Sequence, residues 1–224
     1  DEEILLSTYI CHPSMANNEI SGIVVTTALA QMISQINSRR YTYRILFIPE
    51  TIGAIAYLSL HHEKMRLKTK AGFVVTCVGD DNNYSFLPSR LGNTYTDEVA
   101  LYTLNNYCSN GFNEYSFLER GSDERQFCSP LIDLPVVSIM RSKYGTYPEY
   151  HTSLDDLNFI SKEGLFGAYD ILTKSINIIE KNIIYFPLVH CEPQLGKRGL
   201  YNISSNDDPD HLVNILAYID GKLD

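Results

Sequence analysis

The sequence predicts an α/β protein: a three-layer α/β/α sandwich around a mixed, mostly parallel central sheet, with a short C-terminal appendage. Three observations predict it. Apolar runs rich in β-branched residues, at Ile4–Cys11, Tyr43–Ile48, Ala71–Val78 and Pro135–Met140, alternate with stretches of helical periodicity. Ile4–Cys11 in particular is a continuous run of the kind expected for a strand covered on both faces. The 224 residues are 44% hydrophobic and 20% charged, the balance of a chain that can bury a core.

The elements follow in order. Ile20–Ile36 places Ile23, Thr26, Thr27, Ala30, Ile33 and Ile36 near helical spacing and stops at the polar cluster Asn37–Arg40. Pro49 ends the second strand, and Ile52–His61 reads as a helix. The third strand closes at Gly79-Asp80-Asp81-Asn82, and Tyr84–Ser89 reads as an antiparallel excursion. Thr96–Tyr107 is a predicted helix, and Leu165–Ile184 is a long, strongly periodic one. After Phe186-Pro187 the pattern becomes turn-rich, including Ser204–Asp210, and a last helix is expected over Asp210–Tyr218. These features give one domain over 1–190 and an appendage over 191–224.

A formal charge of −9 argues against a surface for nucleic acid or anionic membrane. No apolar run reaches the ~18 residues of a membrane span, and no basic-then-apolar leader begins the sequence. The cysteines Cys11, Cys77, Cys108, Cys128 and Cys191 are scattered and odd in number, a pattern of reduced thiols that predicts a cytoplasmic location. Cys11 and Cys77 lie in apolar runs and are expected as buried small hydrophobes. The start on an acidic DEE without Met reads as part of a longer polypeptide, with an N-terminal part of the domain missing.

Open α/β sheets bind ligands beyond the carboxyl ends of their strands. The first strand is followed there by His12, the second by Glu50, the third by Asp80 and Asp81, and the last, one loop later, by Glu149-Tyr150-His151. Imidazoles and carboxylates from distant segments therefore gather at one edge, and they are the donors that suit zinc or a similar divalent ion. Each also has a plainer reading. Asn18 suits a helix N-cap, Thr51 caps the next helix, and Thr152 with Asp155 caps a turn.

With those residues identified, the chain resembles zinc-dependent aminopeptidases of the bacterial leucyl type. The resemblance rests on His12-Pro13-Ser14 with Asn17–Gly22, on Pro49-Glu50-Thr51-Ile52-Gly53, and on Tyr150–Asp155, in that order. It is closest to the aminopeptidase-like domain of bacterial proteins with an inserted small domain and a C-terminal winged helix, some associated with polysaccharide biosynthesis. Gly121–Phe127 looks like that subgroup in particular, and Ile215–Lys222 looks like the start of a truncated winged helix.

The resemblance implies metal ligation by His12, Asn18, Asp80 and His151, with Glu50 as general base. It implies hydrolysis of a peptide or amide bond in a small peptide or aminoacyl-type substrate by metal-activated water. Asp123, Arg141, Tyr147 and Glu149 are candidate substrate contacts. Asn18 stands where the family has a bridging aspartate, and Thr51 where it has a second glutamate. These departures imply one zinc ion rather than two, or none. A degenerate binding domain of the same fold, or an N-deacylase acting on a polysaccharide precursor, are the alternatives.

Overall fold

A computed structural model describes residues 2–199 and 211–221, so the predicted turn stretch Ser204–Asp210 lies outside the described residues. The chain divides into two compact units, Asp1–Glu180 and Lys181–Asp224.

The first unit is built on a six-stranded sheet. In chain order it contains β1 (Glu3–Tyr9), α1 (Ser21–Ser34), β2 (Thr42–Ile48), α2 (Ile52–Lys68), β3 (Thr69–Val74), β4 (Tyr84–Leu87), α3 (Tyr95–Tyr107), β5 (Phe112–Glu114), α4 (Glu124–Phe127), β6 (Val136–Met140) and α5 (Lys162–Lys181). The spatial order of strands is β2-β1-β3-β6-β4-β5. The strands β2, β1, β3 and β6 are mutually parallel, and β4 pairs antiparallel with β6 before pairing parallel with β5. The sheet is therefore mixed and mostly parallel, as the alternation of elements predicts.

Residue parity along β1 explains the layers, because successive side chains of a strand face opposite ways. Ile4 and Leu6 face a core with Val25, Leu29 and Ile33 of α1, Leu104 of α3 and Ile171, Leu172 and Ile176 of α5. Leu5 faces the other way, onto Leu58 and Met65 of α2 and Phe127 of α4. Every β1 residue is buried, so polar Ser7 and Thr8 are enclosed as well.

Some boundaries differ from the sequence reading. The first strand ends at Tyr9 and the third at Val74, so Cys11 and residues 75–78 belong to loops at the strand ends. The helix α2 continues to Lys68 and runs directly into β3. Before α1 the chain makes one π-helical turn, Ala16–Ile20, so Asn18 lies inside a turn and does not cap a helix. Thr51 sits at the N-cap position of α2, but its side chain makes no capping bond. In the turns over 151–159, Thr152 Oγ1 accepts the Leu154 N–H, while the Asp155 carboxylate goes to the Asn17 and Asn18 N–H groups.

The second unit contains a short 3₁₀ turn at Gly196–Arg198 and the helix α6 (His211–Tyr218). Among the described residues no helix is long and apolar enough to cross a membrane.

Candidate active site

The four parallel strands end at one edge, and the register of β1 and β2 decides what meets there. Tyr9 is opposite Ile48, and the Ile10 N–H continues the ladder to Ile48 O at 3.1 Å. The chain segments leaving these strands, Ile10–His12 and Pro49–Thr51, therefore emerge side by side. Donor atoms of Cys11, His12 and Glu50 all lie within 4.8 Å of one another. The Cys11 sulfur is 3.3 Å from His12 Nδ1 and accepts the Glu50 N–H at 3.2 Å.

His151 arrives from the loop after β6. Its ring stacks on that of His12 with centroids 5.1 Å apart, and on that of Tyr150 at 3.9 Å. Tyr9 meets the His12 ring edge-on at 5.7 Å. The structure thus brings donor atoms of Cys11, His12 and Glu50 together, and His151 stacks on the His12 ring without being part of that donor group.

Buried carboxylates fix the loops that carry these rings. Glu19 Oε2 accepts the N–H groups of Cys11 (2.7 Å) and His12 and lies 3.4 Å from His12 Nδ1. Asp155 accepts the Asn17 N–H at 2.6 Å and the Asn18 N–H at 3.1 Å, and its carbonyl takes the Ala16 N–H. That clasp ties the His151 loop to the turn following His12, across 138 residues of sequence. Thr51, Cys77 and His151 have φ of 60°, 52° and 56°. Such backbone is costly for side chains of this kind and tends to collect at functional edges.

Asp80 does not join the His12 group. Its carboxylate accepts four hydrogen bonds, from Asn17 Nδ2, Asn82 N, Ser142 N and Ser142 Oγ, each at 2.9 Å. Both oxygens are consumed in joining the end of β3 to the loop after β6 and to the π-helical turn. Arg141 is also occupied elsewhere, donating to the Asp80 carbonyl at 2.8 Å and lying over the Tyr84 ring. Tyr147 is buried, with its hydroxyl near Asp155 and Cys77 and its ring stacked on Phe159. Glu149 is partly exposed in the loop that carries His151.

Asn18 is fully buried and its Nδ2 donates to the Tyr9 hydroxyl at 2.9 Å. That hydroxyl also meets Thr76 Oγ1, which donates to the Asn18 carbonyl. Asn18 Oδ1 is buried without a hydrogen-bond partner. A buried acceptor left this way costs about 1–3 kcal/mol unless something else meets it. An amide oxygen without a partner, on a residue of the turn that follows His12, is a donor that a zinc-like cation can use.

On the far side of Glu50, Ser122 Oγ donates to Glu50 Oε1 at 2.8 Å. Asp123 accepts the Thr51 N–H at 2.7 Å, and Arg125 donates to Thr51 Oγ1 at 2.9 Å. Burial raises the Asp123 carboxyl to about 7, the Thr51 N–H opposes that rise, and the Glu50 and Glu124 charges add to it. Burial also pushes up the Cys11 thiol, and nearby Glu50, Glu19 and Asp123 reinforce the rise.

Sequence reasoning missed three contributors. Cys11 is exposed, contrary to the expectation of a buried hydrophobe, because its strand stops two residues earlier. Ser122 supports Glu50 from a loop whose only sequence signal is its place in Gly121–Phe127. Asp155 acts on backbone N–H groups far away in sequence, which local pattern cannot reveal.

Residues 1–182 match the family model described as Domain of unknown function (DUF4910). The chain belongs to this family. Residues 184–224 match a model described as winged helix-turn-helix. A curated relative from Clostridium acetobutylicum, a "Putative polysaccharide biosynthesis protein with aminopeptidase-like domain", is 44% identical over 204 residues, covering 91% of this chain and 46% of its own length. The chain thus spans about half the length of that relative.

A solved structure of a "putative peptidase" from Clostridium acetobutylicum superposes with a TM-score of 0.86 at 41% identity, over 99% of this chain and 50% of that one. An aminopeptidase from Aneurinibacillus sp. strain AM-1 gives 0.67 at 21% identity, covering 80% of this chain and 44% of that one. A zinc aminopeptidase from Bacillus subtilis gives 0.63 at 22%, covering 81% and 47%. The fold of the DUF4910 domain is that of its zinc aminopeptidase neighbours.

Proposed function

We propose that this chain is a metal-dependent hydrolase of the aminopeptidase type, cleaving a peptide or amide bond with Glu50 as general base. The observation that carries the reading is the meeting of His12 and His151, ring centroids 5.1 Å apart, with Glu50 in the same group at the carboxyl edge of the sheet. Imidazoles and a carboxylate are the ligand types from which zinc hydrolases draw three protein ligands.

A single divalent ion would be held by His12, His151 and the orphaned oxygen of Asn18. When bound it supplies Lewis acidity toward a carbonyl and acidifies water. The chain's own residues supply the rest. Ser122 fixes one oxygen of Glu50, and the other accepts no hydrogen bond from the described residues, so it is available to accept a proton from water. Glu50 then returns that proton to the leaving amine, a role typically worth 10²–10⁴-fold. Asp123, held on the Thr51 N–H next to Glu50, has its carboxyl raised to about 7 by burial, and the Glu50 charge adds to that rise.

A second ion has weaker support. Thr51 offers a hydroxyl already engaged by Arg125, and the Asp80 oxygens are filled by hydrogen bonds. The same features favour, as the alternative, a binding domain that does not hydrolyse. The Clostridium acetobutylicum relative is described as a polysaccharide biosynthesis protein, and an N-deacylase acting on a polysaccharide precursor is therefore kept as the second substrate class.

The test is bound zinc and hydrolysis of aminoacyl-nitroanilides and N-acetylated sugars, in wild type and Glu50→Gln. The expected outcome is about one zinc per chain and a loss of at least about 100-fold in kcat in the variant, with zinc retained. Bound zinc without turnover of either substrate class supports the binding domain instead.

A further inference from the structure

We propose that Cys11 is a ligand of the metal, its thiolate and the His12 imidazole forming adjacent corners of the ion's coordination shell. The proposal rests on the metal-dependent reading above and adds a sulfur ligand to it.

Geometry is the first argument. Zinc bonds of about 2.3 Å to sulfur and 2.0–2.1 Å to nitrogen, at a tetrahedral angle, place two such donors about 3.5 Å apart. Cys11 Sγ and His12 Nδ1 are 3.3 Å apart, close to that spacing before any ion enters. Their positions are imposed by the fold: Glu19 grips both backbone N–H groups, and the Glu50 N–H points at the sulfur. The sulfur is exposed, so an ion can reach it.

Charge is the second argument. The donors assigned above, two imidazoles and an amide oxygen, are all neutral, and Glu50 is reserved for proton transfer. With Glu50 reserved for proton transfer and Glu19 engaged by the Cys11 and His12 N–H groups, Cys11 is the remaining group of the cluster that can bind the ion as an anion. As the sulfur–metal bond forms, the S–H bond breaks and its proton leaves to solvent.

The test uses the full chain, stripped with a chelator and loaded with cobalt(II), which reports sulfur ligation by a near-ultraviolet charge-transfer band. Wild type is expected to show the band, and Cys11→Ser to lose it while binding cobalt at least about tenfold more weakly, since even outer-shell losses cost 10–100-fold. Cobalt bound to wild type without the band overturns the sulfur ligand and leaves the metal-dependent reading standing. Absence of any bound cobalt or zinc overturns both. As an independent readout, zinc is expected to slow alkylation of Cys11, followed by peptide mass spectrometry, but not that of exposed Cys191. Equal protection or none at Cys11 overturns the assignment.

Discussion

Asp155 shows how much a single carboxylate contributes here. It is buried and holds two backbone N–H groups of the turn that presents His12 and Asn18. Asp155→Ala leaves those donors unpaired, and hydrogen bonds to charged groups are worth about 1.5–3 kcal/mol. We expect urea denaturation to show a loss of about 2–3 kcal/mol together with weaker zinc binding. A change below about 0.5 kcal/mol would mean that the turn holds its shape without the clasp.

Asp123 gives a pH prediction at the same scale. Its folded value of about 7 lies above the ordinary 3.8. Between those values the native chain keeps a proton that the unfolded chain has lost. The contribution to stability is therefore complete below the unfolded value and is lost as pH rises to the folded one, by up to about 1.4 kcal/mol per pH unit. Asp123→Asn should flatten the stability profile between about pH 4 and about pH 7. Identical slopes in variant and wild type would contradict the assignment.

His12 and Glu50 were legible as residues because each directly follows an apolar run. Cys11 was not, because an apolar run does not show where pairing stops, and two residues of overestimate moved the thiol from loop to strand. Asp80 follows its strand just as His12 does, yet four local donors claim it, and only coordinates reveal that kind of competition.

At the scale of elements, the helices were read from periodicity, and the strands from continuous apolar composition. The π-helical turn Ala16–Ile20 was not legible, because Asn18 looks like an ordinary N-cap while the true constraint is Asp155, far along the chain. Gly22 shows what seats α1 so close to the site. A Cβ there would fall against the Val75 carbonyl oxygen, just beyond β3, and against Thr8 Oγ1 of β1, both in buried residues. Gly22→Ala should therefore cost about 1–3 kcal/mol by overpacking, despite alanine's better helix propensity. Thermal unfolding checks it, and an unchanged or higher Tm would show that α1 can shift away from the sheet.

For the whole molecule, alternation of strand and helix is enough to predict a mostly parallel sheet, because crossovers of that length force parallel neighbours. Strand order needs long-range pairing, which sequence alone does not display. The order β2-β1-β3-β6 brings His12, Glu50 and His151 to one edge, although the two histidines are separated by nearly the whole domain in sequence.

The most direct measurement is anomalous scattering at the zinc edge from crystals of the zinc-loaded protein. The account predicts one strong peak within bonding distance of the His12 and His151 rings, at roughly one ion per chain. A zinc-loaded crystal with no peak beside those rings, or with two stoichiometric peaks there, would contradict it.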